Sequence, residues 1–270
     1  MAIKLIAIDM GGTLLNPQHE ITAGVKAAIT AAKKRGIKIV LASGRPWIGM
    51  ERYLMELDLQ EKGQYAIACN GAQVHRAEGG ELISEITLNY DDYRYFEALS
   101  RELGVHFQAM GRSAIYTANK DISEYTIQES YVTGIDLRYC SVDEMDPQMH
   151  FLKLMMVDKP ALLDVAIARL PQELRSAYTV EKSALHYLEI IHKQVSKGYG
   201  VSKLAELLNL QPEEVMAIGD QENDIAMLEY SGTGVAMGNA VDSVKMVSQF
   251  ITRTNMEDGV AYAIEKFALC

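Results

Sequence analysis

Four short apolar runs, each closed by a polar turn that contains glycine, constrain this chain more than any other feature. The first lies in residues 4–15, KLIAIDMGGTLL, where Leu5 to Ile8 run into Asp9 and then Gly11, Gly12 and Thr13. Residues 37–42 (IKIVLA) lead to Ser43-Gly44-Arg45, and residues 65–69 to Asn70-Gly71. Residues 215–218 (VMAI) lead to Gly219-Asp220-Gln221-Glu222-Asn223-Asp224. Short apolar runs bounded by glycine read as buried strands. In open α/β sheets, ligands bind at the C-terminal tips of such strands. Taken alone, Asp9 is equally compatible with the turn of an edge strand.

Between these runs the spacing becomes helical. Thr22 can cap a helix over residues 23–35 that carries Val25, Ile29 and Ala32 on one face and stops at Gly36. Pro46 is placed to start a second helix bearing Trp47, Met50, Leu54 and Leu57. This βαβ rhythm predicts a parallel sheet. Residues 72–87 then read as a hairpin around Ala77-Glu78-Gly79-Gly80.

The texture changes over residues 90–192. Helical patterns at 91–103, 121–132 and 160–169 alternate with strand-like runs at 114–117, 151–157 and 186–191. After Ser196 the first rhythm returns, with a helix over 198–208, the strand 215–218, a helix running through Met227 and Leu228, strand-like runs at 233–236 and 249–251, and a final helix near 257–267. The expected organisation is an α/β core built from residues 1–84 and 192–270, with an inserted α+β domain over 85–191. One larger continuous domain is the alternative.

Composition narrows the partners. With 270 residues, 49% of them hydrophobic, the chain can bury a sizeable core. A formal charge of -10, with no basic block to offset it, argues against a sequence-independent grip on nucleic acid or an anionic membrane. Cys69, Cys140 and Cys270 form no CxxC pair and leave an odd thiol, which fits a reducing compartment and hence the cytoplasm. Lys4 and Asp9 bracket only four apolar residues, too few for a signal peptide core, and no later run approaches a membrane span. A homodimer is left open.

The strand-tip residues suggest a chemistry. Asp220 and Asp224, four apart at an expected helix start, share one face and repel unless a cation separates them. Mg2+ takes oxygen ligands and keeps several waters, so one or two carboxylates suffice to hold it. Acids also favour helix N-termini through the dipole alone. Ser43 can cap the helix that Pro46 begins or, with free backbone N–H groups, bind an anion. Lys197 acquires a role only beside a phosphate that needs a point charge. The six histidines show no metal-ligand spacing.

In order along the chain, the Asp-x-x-Gly-Thr tip, the Ser-Gly tip, the lone lysine and the GDxxND tip resemble the four motifs of the haloacid dehalogenase superfamily of phosphotransferases. The large insertion, with IACNGA before it and IGDQENDIAML after it, is similar to the Cof-type sugar-phosphatase branch. The resemblance implies a Rossmann-like core with an α/β cap and a Mg2+-dependent phosphatase of small phosphorylated metabolites. It implies Asp9 as nucleophile, with Asp9, the Gly11 carbonyl and Asp220 holding the metal and Asp224 in support. It also implies that the Met10 N–H, Ser43, Gly44, Lys197 and Asn223 receive the phosphate, with Arg45 and Asn70 near the leaving group. One position departs from the pattern. The family carries a second aspartate where this chain has Gly11, and that aspartate is the general acid and base. Its absence predicts impaired turnover unless another group substitutes, and three explanations are open: an engineered or accidental change at residue 11, a natural phosphometabolite-binding protein without turnover, or compensation by a cap acid such as Asp121 or Glu124. A phosphomutase on the same core needs the same acid. The Asp-x-Gly-Gly-Thr string is also similar to the phosphate loop of sugar kinases, but residues 22–35 read as a helix where that fold has a strand.

Overall fold

A computed structural model describes residues 2–270. Five strands come first: β1 (Leu5–Ile8), β2 (Lys38–Ala42), β3 (Tyr65–Ala68), β4 (Gln73–Arg76) and β5 (Leu82–Glu85). Six belong to the middle of the chain: β6 (His106–Met110), β7 (Ala114–Thr117), β8 (Asp136–Tyr139), β9 (Lys153–Val157), β10 (Tyr178–Ala184) and β11 (Tyr187–His192). The return segment adds β12 (Val215–Gly219), β13 (Thr233–Ala236) and β14 (Phe250–Ile251). Residues up to Glu85 together with Ser196–Cys270 form one compact unit, and Ile86–Val195 form another. The return crossing falls at Ser196 rather than 192, because β11 continues through His192 and Val195 N–H still bonds the His192 carbonyl.

The core sheet has the order β14-β13-β12-β1-β2-β3-β4-β5. Its central pairs are parallel and only the β3-β4-β5 hairpin edge is antiparallel. Every residue of β1 is buried, which is why that strand is a continuous apolar run and not an alternating one. The chain leaves β1 toward β2 on one side, while β12 returns on the other, so the strand order reverses between β1 and β12. A crevice forms at such a point, outside the carboxyl ends of the strands. Register places Ile8 opposite Ile218, so Asp9 and Gly219-Asp220 emerge side by side. Thr22 caps the helix Ala23–Lys34 by accepting the Val25 N–H.

The inserted unit carries the sheet β10-β11-β9-β6-β7-β8. Leu154 and Met156 point to one face, where Tyr93 and Phe96 of helix Tyr90–Leu103 and Leu163 and Ala166 of helix Pro160–Ala168 cover them. The alternate residues Met155 and Val157 join Tyr187 and Tyr125 on the other face, beside helix Glu124–Thr133. Three strands were not expected. β6 mixes His106 and Gln108 with apolar residues, while β8 and β10 are sheet edges whose polar, partly exposed residues carry little apolar signal. The helix expected from Trp47 is a 3-10 turn, Trp47–Gly49, followed by a short helix, Glu51–Glu56. No helix among the described residues is long and apolar enough to cross a membrane.

Candidate active site

Asp9 ends the central strand and Lys197 opens the helix Lys197–Leu207, yet the two meet in a buried ion pair. Lys197 Nζ donates to Asp9 Oδ1 at 2.5 Å and to Asp224 Oδ1 at 2.6 Å, and the lysine is only 1% exposed. The other Asp224 oxygen accepts the backbone N–H groups of Asp220 and Gln221 at 2.9 and 3.0 Å. Asp220 Oδ1 accepts the Thr13 hydroxyl at 2.7 Å, and its Oδ2 the Gln221 side-chain amide at 3.1 Å. Asp9 Oδ2 accepts no hydrogen bond among the described residues.

The two later acids are not on a common helical face. Asp220 lies at the strand tip, residues Glu222–Asp224 form a 3-10 turn, and the α-helix begins only at Ile225. Asp224 closes a capping box with Gln221, so it satisfies orphan helix-start N–H groups and also grips Lys197. Asp224 thus combines the helix-start role suggested by the sequence with an ion pair to Lys197 that the sequence did not suggest.

Ligand oxygens of Asp9, Asp220 and Asp224 all lie within 4.8 Å of one another, and all three residues are buried. Three carboxylates face a single ammonium, so ionising all of them leaves two negative charges unbalanced. Burial, and after it the Asp224 carboxylate, push Asp9 up to about 8 even though Lys197 pulls the other way. Burial also raises Asp220. For Lys197 burial favours the neutral amine, but Asp224 and Asp9 outweigh it and hold the ammonium above the ordinary lysine range. An oxygen-only donor set with excess negative charge fits a hard divalent cation such as Mg2+.

The phosphate-side candidates lie on neighbouring tips. Ser43 Oγ accepts the Arg45 N–H at 3.1 Å and does not cap the helix after Pro46. The backbone N–H groups of Met10 and Gly44 bond no acceptor among the described residues. Asn223 Nδ2 donates to Asn70 Oδ1 at 3.0 Å, which ties the fourth tip to the third. The Arg45 guanidinium sits 5.6 Å from the centre of the Tyr53 ring and, among the described residues, forms no ion pair with the three carboxylates. Asp121 and Glu124 are exposed residues of the inserted unit.

The two glycines after Asp9 differ. A Cβ on Gly12 would lie 2.4 Å from Asp220 Oδ2, and its φ of +84° suits glycine. A Cβ on Gly11 would meet nothing within 4 Å, and its φ is not left-handed. The backbone at 11 is therefore open to a side chain. Thr13 lay inside the first motif without a role, and it proves to orient Asp220. Asn239, whose amide holds the Gly12 carbonyl at 2.9 Å, carried no sequence signal because 227 residues separate the two.

A family model for haloacid dehalogenase-like hydrolases matches residues 6–264. YxeH of Bacillus subtilis (strain 168), provisionally named a phosphatase, is 47% identical over 266 residues, which cover 98% of each chain. YcsE of the same organism, named a 5-amino-6-(5-phospho-D-ribitylamino)uracil phosphatase, is 31% identical over 267 residues and 99% of this chain and 96% of its own length are covered. A haloacid dehalogenase-like hydrolase from Bacteroides thetaiotaomicron has the same architecture, with a TM-score of 0.86, 31% identity and coverage of 98% of this chain and 99% of that one. Strand order, the meeting of distant carboxylates on one lysine, and end-to-end similarity agree: the chain belongs to the haloacid dehalogenase-like hydrolases.

Proposed function

We propose that this hydrolase is a Mg2+-dependent phosphatase of small phosphorylated metabolites, sugar phosphates among them, acting through an aspartyl-phosphate on Asp9. The observation that carries the reading is the pairing of Asp9 Oδ1 with Lys197 while Oδ2 is left without a hydrogen bond. A carboxylate held by one oxygen presents the other as an oriented nucleophile. The name of YcsE, a relative acting on a phosphorylated small molecule, supports the substrate class.

In this reading Oδ2 attacks phosphorus, an acyl-phosphate bond forms as the P–O ester bond breaks, and the ester oxygen leaves with its electron pair and takes up a proton from solvent water. Water then attacks phosphorus, inorganic phosphate departs and the carboxylate is restored. Asp9, the Gly11 carbonyl and Asp220 would hold Mg2+, with Asp224 supporting. When bound, the ion supplies neutralisation of phosphoryl charge. The N–H groups of Met10 and Gly44, together with Ser43, Lys197 and Asn223, receive phosphate oxygens; Asn70 and Arg45 lie toward the leaving group. Lys197 is a poor proton donor, since two carboxylates stabilise its charge.

Residue 11 limits the rate. Glycine supplies no proton to the leaving oxygen and takes none from water, and general acid–base catalysis contributes roughly 10²- to 10⁴-fold. The same glycine favours a second reading, a protein that binds phosphometabolites without turning them over. Initial rates on a panel of sugar phosphates and p-nitrophenyl phosphate with Mg2+ separate the two. Gly11→Asp, for which the backbone has room, is expected to raise the rate by about that factor. Asp9→Asn removes turnover, and its intact mass shows no phosphoryl adduct. Binding without turnover in both the unmodified and the Gly11→Asp protein overturns the phosphatase reading. Full activity of the unmodified protein overturns the role given to residue 11.

A further inference from the structure

The turn after β3 bonds to two of the other polar turns, those at Ser43–Arg45 and at Asn223, and its backbone is unusual. Cys69, Asn70 and Gly71 have φ of 49°, 56° and 95°, three left-handed residues in succession, two of which carry a Cβ. All three are buried. Such backbone persists only where surrounding contacts over-determine it, and asparagine tolerates it better than most side chains.

Those contacts are specific. Cys69 N–H donates to the Arg45 carbonyl and Asn70 N–H to the Ser43 carbonyl, both at 2.9 Å, so the turn is fastened to both ends of Ser43-Gly44-Arg45. A Cβ on Gly44 would lie 3.2 Å from Asn70 Oδ1. That oxygen accepts Asn223 Nδ2 at 3.0 Å, and the second N–H of the Asn223 amide stays available to a ligand. A Cβ on Gly71 would lie 2.1 Å from the carbonyl of Ser196, the N-cap of the helix that opens with Lys197.

We propose that Asn70 is a positioning residue for the hydrolytic reaction: held left-handed by its neighbours, it uses Oδ1 to aim the Asn223 amide at the phosphate position. The inference rests on the phosphatase reading only in taking phosphate as what Asn223 meets. Asn70 then acts through Asn223, and its removal adds nothing once Asn223 is gone.

A double-mutant cycle tests this. Asn70→Gly keeps the left-handed backbone and deletes the amide; Asn223→Ala deletes its partner. Both, singly and together in the Gly11→Asp protein, are assayed with p-nitrophenyl phosphate and Mg2+. Each single change is expected to lower kcat/KM about tenfold, the scale of one lost hydrogen bond, and the double variant to fall no further than the worse single one. Multiplying losses overturn the proposal, as does a loss in Asn70→Gly that persists undiminished in the Asn223→Ala background and tracks thermal stability. The side-chain amide resonances of Asn223 in the unmodified protein, assigned through Asn223→Ala, give a readout free of turnover. They are expected to shift in Asn70→Gly, and unmoved resonances overturn the proposal whatever the activity. If Gly11→Asp alone is inactive on every substrate, the phosphatase reading fails while the resonances still decide Asn70.

Discussion

Lys197 is the residue on which the charge balance of the site turns. It is buried between Asp9 and Asp224, and truncating one member of such a set leaves the others uncompensated. Lys197→Met is expected to lose about 3–5 kcal/mol of stability in urea melts without Mg2+, and less when Mg2+ is present; an unchanged midpoint would show that the pair carries no such weight. Gly12→Ala is expected to cost about 2 kcal/mol and to weaken Mg2+ binding, since the new methyl meets Asp220 and the backbone is left-handed. Calorimetric Mg2+ titration of that variant reads the second effect. His75 provides a pH dependence outside the site. Burial lowers its pKa, although its Nδ1 lies 3.0 Å from the Gly80 carbonyl. The folded state therefore holds the ring neutral, and the unfolded chain binds the proton more readily below about 6.5. Stability from this residue is present above that value and declines as pH falls through it toward the lowered folded value. Between pH 8 and 5.5, melting of His75→Gln should fall less than that of the unmodified protein.

At the scale of elements, the helix Lys197–Leu207 shows packing overruling propensity. Its sequence begins Lys-Gly-Tyr-Gly, and each glycine costs about 1 kcal/mol relative to alanine in a helix interior. Both are spacers: a Cβ on Gly198 would lie 2.3 Å from the Ala226 carbonyl, and one on Gly200 would lie 2.7 Å from Ile67 Cγ2. The helix can bring Lys197 to Asp9 only by approaching β3 and the helix Ile225–Tyr230 this closely. Gly198→Ala is consequently expected to destabilise the protein by about 2 kcal/mol despite the better helix propensity, and a rise in Tm would refute the argument. The same scale explains what could be read from the chain alone. β1, β2, β3 and β12 were legible because strands buried on both sides become unbroken apolar runs. β8 and β10 were not, because a sheet edge holds its place through backbone bonds to one neighbour and needs no apolar pattern. The 3-10 turn at Glu222–Asp224 is indistinguishable from plain helix in the sequence, because its carboxylate cap has the same residue pattern that starts an α-helix.

At the scale of the molecule, the site belongs to a unit assembled from two separated stretches of chain, so a cation bound there would couple directly to folding of the core. Mg2+ at a hundredfold its Kd is expected to add about 2.7 kcal/mol and raise Tm by several degrees, an effect that Asp220→Asn should largely remove in a thermal-shift titration. Strand tips bearing Asp9, Ser43, Asn70 and Asp220 are properties of the sequence itself, because apolar run length and turn glycine act locally along the chain. So is the glycine at 11, which an otherwise complete set of motifs makes conspicuous. What the sequence could not decide is which tips touch. Lys197 lies 188 residues from Asp9 along the chain, Thr13 lies 207 from Asp220, and Asn70 lies 153 from Asn223. Their meeting follows from the strand order and register of the folded sheet, and from glycines that let backbones approach. Those are long-range choices made by the burial of the whole core, and no local pattern of residues encodes them.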